Sequence, residues 1–131
     1  MSHSLLQIGE LALRAGVSHR TIHYYERMGL LRPAEREGQG YRYYDEQAVQ
    51  RLEKIAALKN LGLSLEEIAQ VIDLYFDGPS AIKGKEQVLK ILEAHLAATR
   101  SKLGEMHAFE QDLQANIERM KQLIEEARKQ S

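Results

Sequence analysis

The sequence predicts a mainly α-helical chain: a winged helix-turn-helix head with a small β-hairpin wing, followed by a long coiled-coil dimerisation helix. Three observations carry that prediction. In "QIGELALRAGVSHRTIHYYERMGLL" apolar residues recur at helical spacing on both sides of a short glycine-containing break. The turn-rich stretch "RPAEREGQGYRYYDEQ" then interrupts the helical pattern with two short arms. From Leu89 onward, apolar residues alternate three and four apart, which is the seam of a coiled coil.

In the first helix Ile8, Leu11, Ala12 and Ala15 share a face, and Gly16-Val17 breaks the run. Ser18 is an N-cap for the second helix and Gly29 a C-terminal stop. On a helical wheel Ile22, Tyr25 and Gly29 cluster on one side. Arg20, Tyr24 and Arg27 fall opposite, with His23 at their edge. The adjacent tyrosines therefore have different tasks. Tyr25 belongs to the core, while Tyr24 points outward among cations, as a contact residue or as a solvated surface tyrosine.

Pro33 ends any helix, and Gly38 and Gly40 supply turn conformations between the arms Arg32–Arg36 and Tyr41–Tyr44. A wing of this kind can reach a phosphate backbone. Its Tyr and Arg side chains are planar groups with donors that fix register without reading sequence. The alternative is an ordinary hairpin whose tyrosines pack on the helices, and Tyr43 or Tyr44 is expected to do so. Asp45 then caps a third helix carrying Ala48, Val49, Leu52, Ile55, Ala56 and Leu58, stopped near Gly62. Ser64 with Glu67 forms a capping box that opens a fourth helix. Lys59, ending the third helix, is either a phosphate contact or a solvated lysine.

"DGPSAIKGK" marks a boundary, giving a head over 1–76, a hinge over 77–84 and a coiled-coil helix over 85–131. The seam is Leu89, Leu92, Leu96, Thr99, Leu103, Met106, Glu110, Leu113, Ile117, Met120, Ile124 and Ala127. Ten of these twelve are apolar, enough to require a cover. An unbroken helix of this length spans ~70 Å and cannot bury its stripe against so small a head, so it needs a partner. Val88, Ile91, Phe109 and Leu123 lie off the seam and widen the stripe. Gly104 is a weak point of about 1 kcal/mol relative to Ala.

The formal net charge of −1 and pI near 6.5 argue against a generic polyanion binder. The halves differ mildly: residues 1–60 hold nine Lys/Arg against seven Asp/Glu, and the rest nine against twelve. Placement of the arginines therefore carries the argument. There are no cysteines, which removes disulfides, thiolate ligands and thiol redox sensing and fits a cytoplasmic address. No apolar run approaches the ~20 residues of a membrane span. The opening "MSHSLLQIGELA" lacks the features of a signal peptide. The five histidines show no metal-ligand spacing, and there is no phosphate-binding glycine motif or nucleophile–base arrangement. The expectation is a non-enzyme without cofactor or metal.

"IGELALRAGVSHRTIHYYERMGLLRP" followed by "GYRYYDEQAVQRLEKIAALKNLGLSLEEI" resembles the MerR family of bacterial transcription regulators over about residues 6–76. The resemblance implies two subunits joined as an antiparallel coiled-coil homodimer. Its heads would bind the halves of a palindrome in a long promoter spacer, and distortion of that DNA would let RNA polymerase use both promoter elements. Ser18, Arg20, Thr21, His23, Tyr24 and Arg27 would then form the DNA-contacting helix. Tyr41, Arg42 and Tyr43 would form the wing contacts, and Lys59 a backbone contact. The dimer contacts would be Leu89, Leu92, Leu96, Leu103, Met106, Leu113, Ile117, Met120 and Ile124. His23 departs from the family pattern, standing where many relatives have Arg. The cysteines of the metal-sensing and iron–sulfur branches are absent, and the expectation from the residues after Lys85 is a dimerisation helix rather than a ligand domain of the drug-binding kind. A small organic effector near Val88, Ile91 and Phe109, working on a hinge at Gly78-Pro79, is the expectation left; plain packing of those side chains is the alternative. A DNA-anchoring adaptor, with the coiled coil holding a protein partner, is the alternative function.

Overall fold

The computed structural model describes residues 5–32, 35–37, 41–78 and 80–131, with residues 35–37, 41 and 42 described as backbone alone. Its elements are α1 Ile8–Ala15, α2 His19–Arg27, β1 Glu35–Glu37, β2 Tyr41–Tyr43, α3 Glu46–Asn60, α4 Leu65–Val71, a 3-10 helix Ile72–Phe76, and α5 Ile82–Gln130. Local chemistry sets most of these limits. Gly16 stands in the left-handed region at φ 70° and donates its N–H to Ala12 O, ending α1. Two residues later the Ser18 hydroxyl accepts the Thr21 N–H and starts α2. The Asp45 carboxylate accepts the Ala48 N–H at the start of α3. Ser64 and Glu67 make the full reciprocal capping box of α4.

β1 and β2 pair antiparallel, with Glu35 opposite Tyr43 and Glu37 opposite Tyr41. Pro33, Gly38, Gly40 and Pro79, which sequence reading uses as turn markers, lie outside the described residues. Beyond β2, Tyr44 exchanges two backbone hydrogen bonds of 2.7 Å with Leu6, tying the segment before α1 to the base of the wing.

The chain divides into two compact units, residues 1–92 and 93–131. The first has its own core, in which Leu11, Ile22, Leu30, Leu31, Ile55, Leu58, Ile68 and Ile72 are fully buried. Ala56, grouped with the core from sequence, is exposed instead. It stands about 100° around the helix from Ile55, and Ile55 and Leu52 already fill the inward face.

The core does not stop at residue 76. Gly84 and Val88 are buried, and Ile91 and Leu92 pack against the same cluster, so the opening turns of α5 belong to the head unit. The hinge expected over 77–84 is accordingly shorter, because helix begins at Ile82. Gly84 serves close packing rather than bending: a Cβ there would lie 2.7 Å from the Tyr75 ring. The second unit is helix alone. There Leu103, Met106, Phe109, Ile117 and Met120 are all more than half exposed.

A candidate nucleic-acid interface

Folding sorts the second helix as its wheel predicts, except that Gly29, grouped there with Ile22 and Tyr25, lies exposed past the helix end. Ile22 and Tyr25 are buried, which leaves Arg20, Tyr24 and Arg27 exposed together on the outer face. The Arg27 guanidinium lies 5.9 Å from the Tyr24 ring centre, a cation–π approach that holds two donors side by side. Tyr24 also leans on its buried neighbour, with ring centres 6.3 Å apart at 42° to Tyr25. The core tyrosine therefore limits where the outer one can go. At the helix start the exposed Ser18 donates its hydroxyl to the half-buried Thr21 hydroxyl at 3.0 Å, which fixes the rotamers of both. Four of the predicted contact residues, Ser18, Arg20, Tyr24 and Arg27, are thus presented outward on one short helix.

His23 sits at the edge of that face, its Nδ1 3.8 Å from Glu26 Oε1. Glu26 was not singled out by sequence reading, yet it ties the region together. Its carboxylate is almost buried and accepts the Tyr44 phenol at 2.6 Å. Tyr44 follows β2 directly, so this bond fastens the base of the wing to α2. Of Tyr43 and Tyr44, one or other of which is expected to pack inward, Tyr44 is buried and Tyr43 is half-buried. The side chains of Tyr41 and Arg42 lie outside the described residues. Lys59 is exposed in the last turn of α3, where the helix dipole also favours a cation.

Two of the head's cations are committed elsewhere. Arg51 is buried, and its Nε and Nη2 donate to Leu30 O at 3.0 and 2.8 Å. Its Nη1 meets Asp73 Oδ1 at 2.9 Å, and its Cζ lies 5.4 Å over the Phe76 ring. One guanidinium therefore joins the carbonyl just past α2 to the 3-10 helix. Arg14 forms a two-pronged pair with Glu46, at 2.6 and 3.0 Å, fixing α1 to the start of α3. That hydrogen-bonded pairing holds the Glu46 carboxyl below its ordinary value and raises Arg14 above its own.

Under the 3-10 helix lies an open groove of about 490 Å³, lined by Glu53, Lys54, Tyr75, Phe76, Ser80 and Lys85 among others. Lys54 Nζ stands 4.6 Å from the Tyr75 ring centre, and burial raises the Tyr75 phenol. No group of three or more His, Asp or Glu arranged to hold a metal occurs among the described residues, and none of their helices is long and apolar enough to cross a membrane.

Residues 6–74 match the profile described as MerR HTH family regulatory protein, and residues 49–116 match one described as MerR, DNA binding. Nodulation protein NolA of Bradyrhizobium sp. (strain NC92) is 41% identical over 90 residues, covering 69% of this chain and 34% of its own. The chain thus spans about a third of the length of the NolA relatives it matches. The transcription regulator PbrR691 from Ralstonia metallidurans CH34, solved in complex with lead(II), is similar at TM-score 0.64 and 32% identity, with 82% of this chain and 81% of that one covered. HiNmlR, solved as a MerR family regulator lacking the sensor domain and bound to promoter DNA, is similar at TM-score 0.52 and 26% identity, with coverage of 85% and 94%.

Proposed function

The chain belongs to the MerR family of DNA-binding transcription regulators, and from that premise we propose that it works as a homodimer on a palindromic promoter site. The observation that carries the proposal is the division of labour within one chain. The head buries its own core and presents Arg20, Tyr24 and Arg27 outward, while residues 93–131 carry an apolar stripe that is left exposed among the described residues. A second copy supplies the missing cover and a second head, which two half-sites require. Activation by distortion of the spacer DNA, so that RNA polymerase reaches both promoter elements, is the mode consistent with a relative solved on promoter DNA. The address that fits this work is cytoplasmic.

The contact face divides by chemistry. The Tyr24 phenol and Lys59 ammonium suit phosphate oxygens, which position a head without reading sequence. Arg20, one turn before Tyr24, has the two-pronged donor geometry for a base edge. An effector bound among Val88, Ile91 and Phe109 finds less support than the sequence suggested, because Val88 is buried in the head's own core and Ile91 packs on it. The groove beside Tyr75 and Phe76 offers a place for a small organic effector. Lead(II) belongs to the PbrR691 complex; the present chain has no thiolate to offer such a soft ion.

Footprinting the DNA upstream of the gene, together with transcription in vitro, tests this reading. One short protected palindrome between promoter elements, with altered transcript output, is expected. Many protected sites without any change in initiation would instead indicate a DNA-anchoring adaptor. On that palindrome Tyr24→Phe and Lys59→Ala should each weaken binding about fivefold, roughly the ~1 kcal/mol of one hydrogen bond, and equally on unrelated DNA. Arg20→Ala should also relax the sequence preference.

A further inference from the structure

A homodimer through α5 still leaves open the register in which the two helices meet, and the polar seam residues bear on that choice. Between Glu93 and Gln130 the seam reads Leu96, Thr99, Leu103, Met106, Glu110, Leu113, Ile117, Met120, Ile124 and Ala127. Its large apolar members are 46–65% exposed in the single chain. Thr99 and Glu110 are its two polar members, both exposed, with Glu110 Oε1 3.7 Å from His107 Nδ1 on the same helix. Whatever covers the stripe must also accommodate a hydroxyl and a carboxylate.

A parallel, in-register pair does this badly. Each seam residue would meet its own copy, so two Glu110 carboxylates would face each other away from water. The flanks would add His95 against the partner's Arg100 and Lys102 against the partner's His107, bringing basic groups together. Antiparallel pairs avoid the first problem, because no seam residue need meet its own copy. They interlock only in alignments one heptad apart, because the three-four alternation must mesh.

One such alignment sets Leu96 on the partner's Leu113 and Leu103 on the partner's Met106, with Thr99 on the partner's Glu110. Every apolar residue in this central stretch then faces an apolar one, and the polar pair faces itself. Arg100, beside Thr99 on the flank, brings a guanidinium toward the same carboxylate. Slide the copies one heptad one way, and Thr99 faces the partner's Ile117 while Glu110 faces the partner's Met106. Slide them the other way, and Thr99 faces the partner's Leu103. Each shift leaves polar atoms against methylenes without a partner, the costly outcome for a covered group.

We propose that α5 pairs with a second copy of this chain antiparallel, in the register that sets Thr99 of each copy on Glu110 of the partner subunit. The Thr99 hydroxyl donates to the Glu110 carboxylate, once on each side of the dimer axis. This proposal rests on the homodimer reading and adds its register. A polar layer of this kind selects alignment in coiled coils because a wrong alignment strands it.

The chain has no cysteine, so crosslinking has no background. In the full-length protein, Thr99→Cys with Glu110→Cys should form interchain disulfides in most of the dimer under mild oxidation. The two positions are about 16 Å apart along one helix, too far to bridge within a chain. Thr99→Cys with Ile117→Cys reports the neighbouring register, and Ile117→Cys alone reports a parallel pair. Both should stay uncrosslinked on non-reducing gels and by intact mass. Efficient crosslinking of either control, whether or not the first variant also crosslinks, would overturn the register. Sedimentation of the reduced protein separates the two readings: a monomer there would remove the homodimer itself, whereas a dimer with the wrong crosslink removes only the alignment.

Discussion

Residues 1–92 and residues 93–131 are written in the same amphipathic helical code, but only the first region buries what the code sets aside. Leu11, Ile22, Ile55 and Ile68 disappear into a shared core, whereas Leu103 and Met106 remain 62% and 65% exposed. The difference teaches that periodicity reports that a face must be covered, and not by whom. Helices of seven to fifteen residues joined by capped turns can fold onto one another, so their faces meet within the chain. A forty-nine-residue helix cannot return on itself, and the part beyond Leu92 keeps its stripe open.

The largest effect should come from striking the open region. Leu103→Lys with Met106→Lys places four like charges at the centre of the proposed dimer. Sedimentation should show monomers, and affinity for a palindrome should fall by about 100-fold or more as bivalent binding is lost. The thermal transition of the head should barely move, since neither side chain is part of its core. A double variant that stays dimeric would show that the stripe is not the contact.

Much of this contrast was legible in sequence because its causes are local. Gly16, Ser18, Asp45 and the Ser64–Glu67 pair act within four residues of themselves, and each turn or cap formed where its chemistry indicated. The outer face of α2 followed from spacing alone. What sequence missed acts over distance. Tyr44 reaches Glu26 eighteen residues back, and Arg51 reaches Leu30 twenty-one residues back. No short pattern marks either pairing, and a lone Glu on a cationic helix was the only hint. The end of the head differs for a related reason: Val88 fits the stripe by spacing, and its burial comes from packing on the head's core, which no short pattern marks.

A smaller effect, confined to the closed region, should follow Arg51→Met. The substitution keeps an apolar stem but leaves Leu30 O without its two donors and Asp73 without its cation. Because Asp73 is itself mostly exposed and can turn to water, the loss is chiefly that of hydrogen bonds from a charged donor, about 2–3 kcal/mol. Denaturant unfolding of the head should report it, with the dimer unchanged by sedimentation. Were the dimer lost as well, the two regions would be less separable than their burial indicates.

The smallest effect tests whether the head's surface contributes as its interior does. Hydrogen bonding to Arg14 holds the Glu46 carboxyl below its ordinary value of 4.5, so the folded head favours the ionised form. A carboxyl depressed in this way stabilises the fold above its unfolded value, and the contribution fades as pH falls through the folded value. Glu46→Gln should therefore melt slightly below the parent at neutral pH, with the gap closing as pH falls below the ordinary carboxylate range. The Arg14 shift is upward from an already strongly basic value and has no bearing in this range. Both side chains are about half exposed, so added salt should narrow the gap at neutral pH, whereas the Arg51→Met deficit should persist. A salt-insensitive deficit in the Gln variant would mean that the pair acts by positioning α1 on α3 rather than by charge.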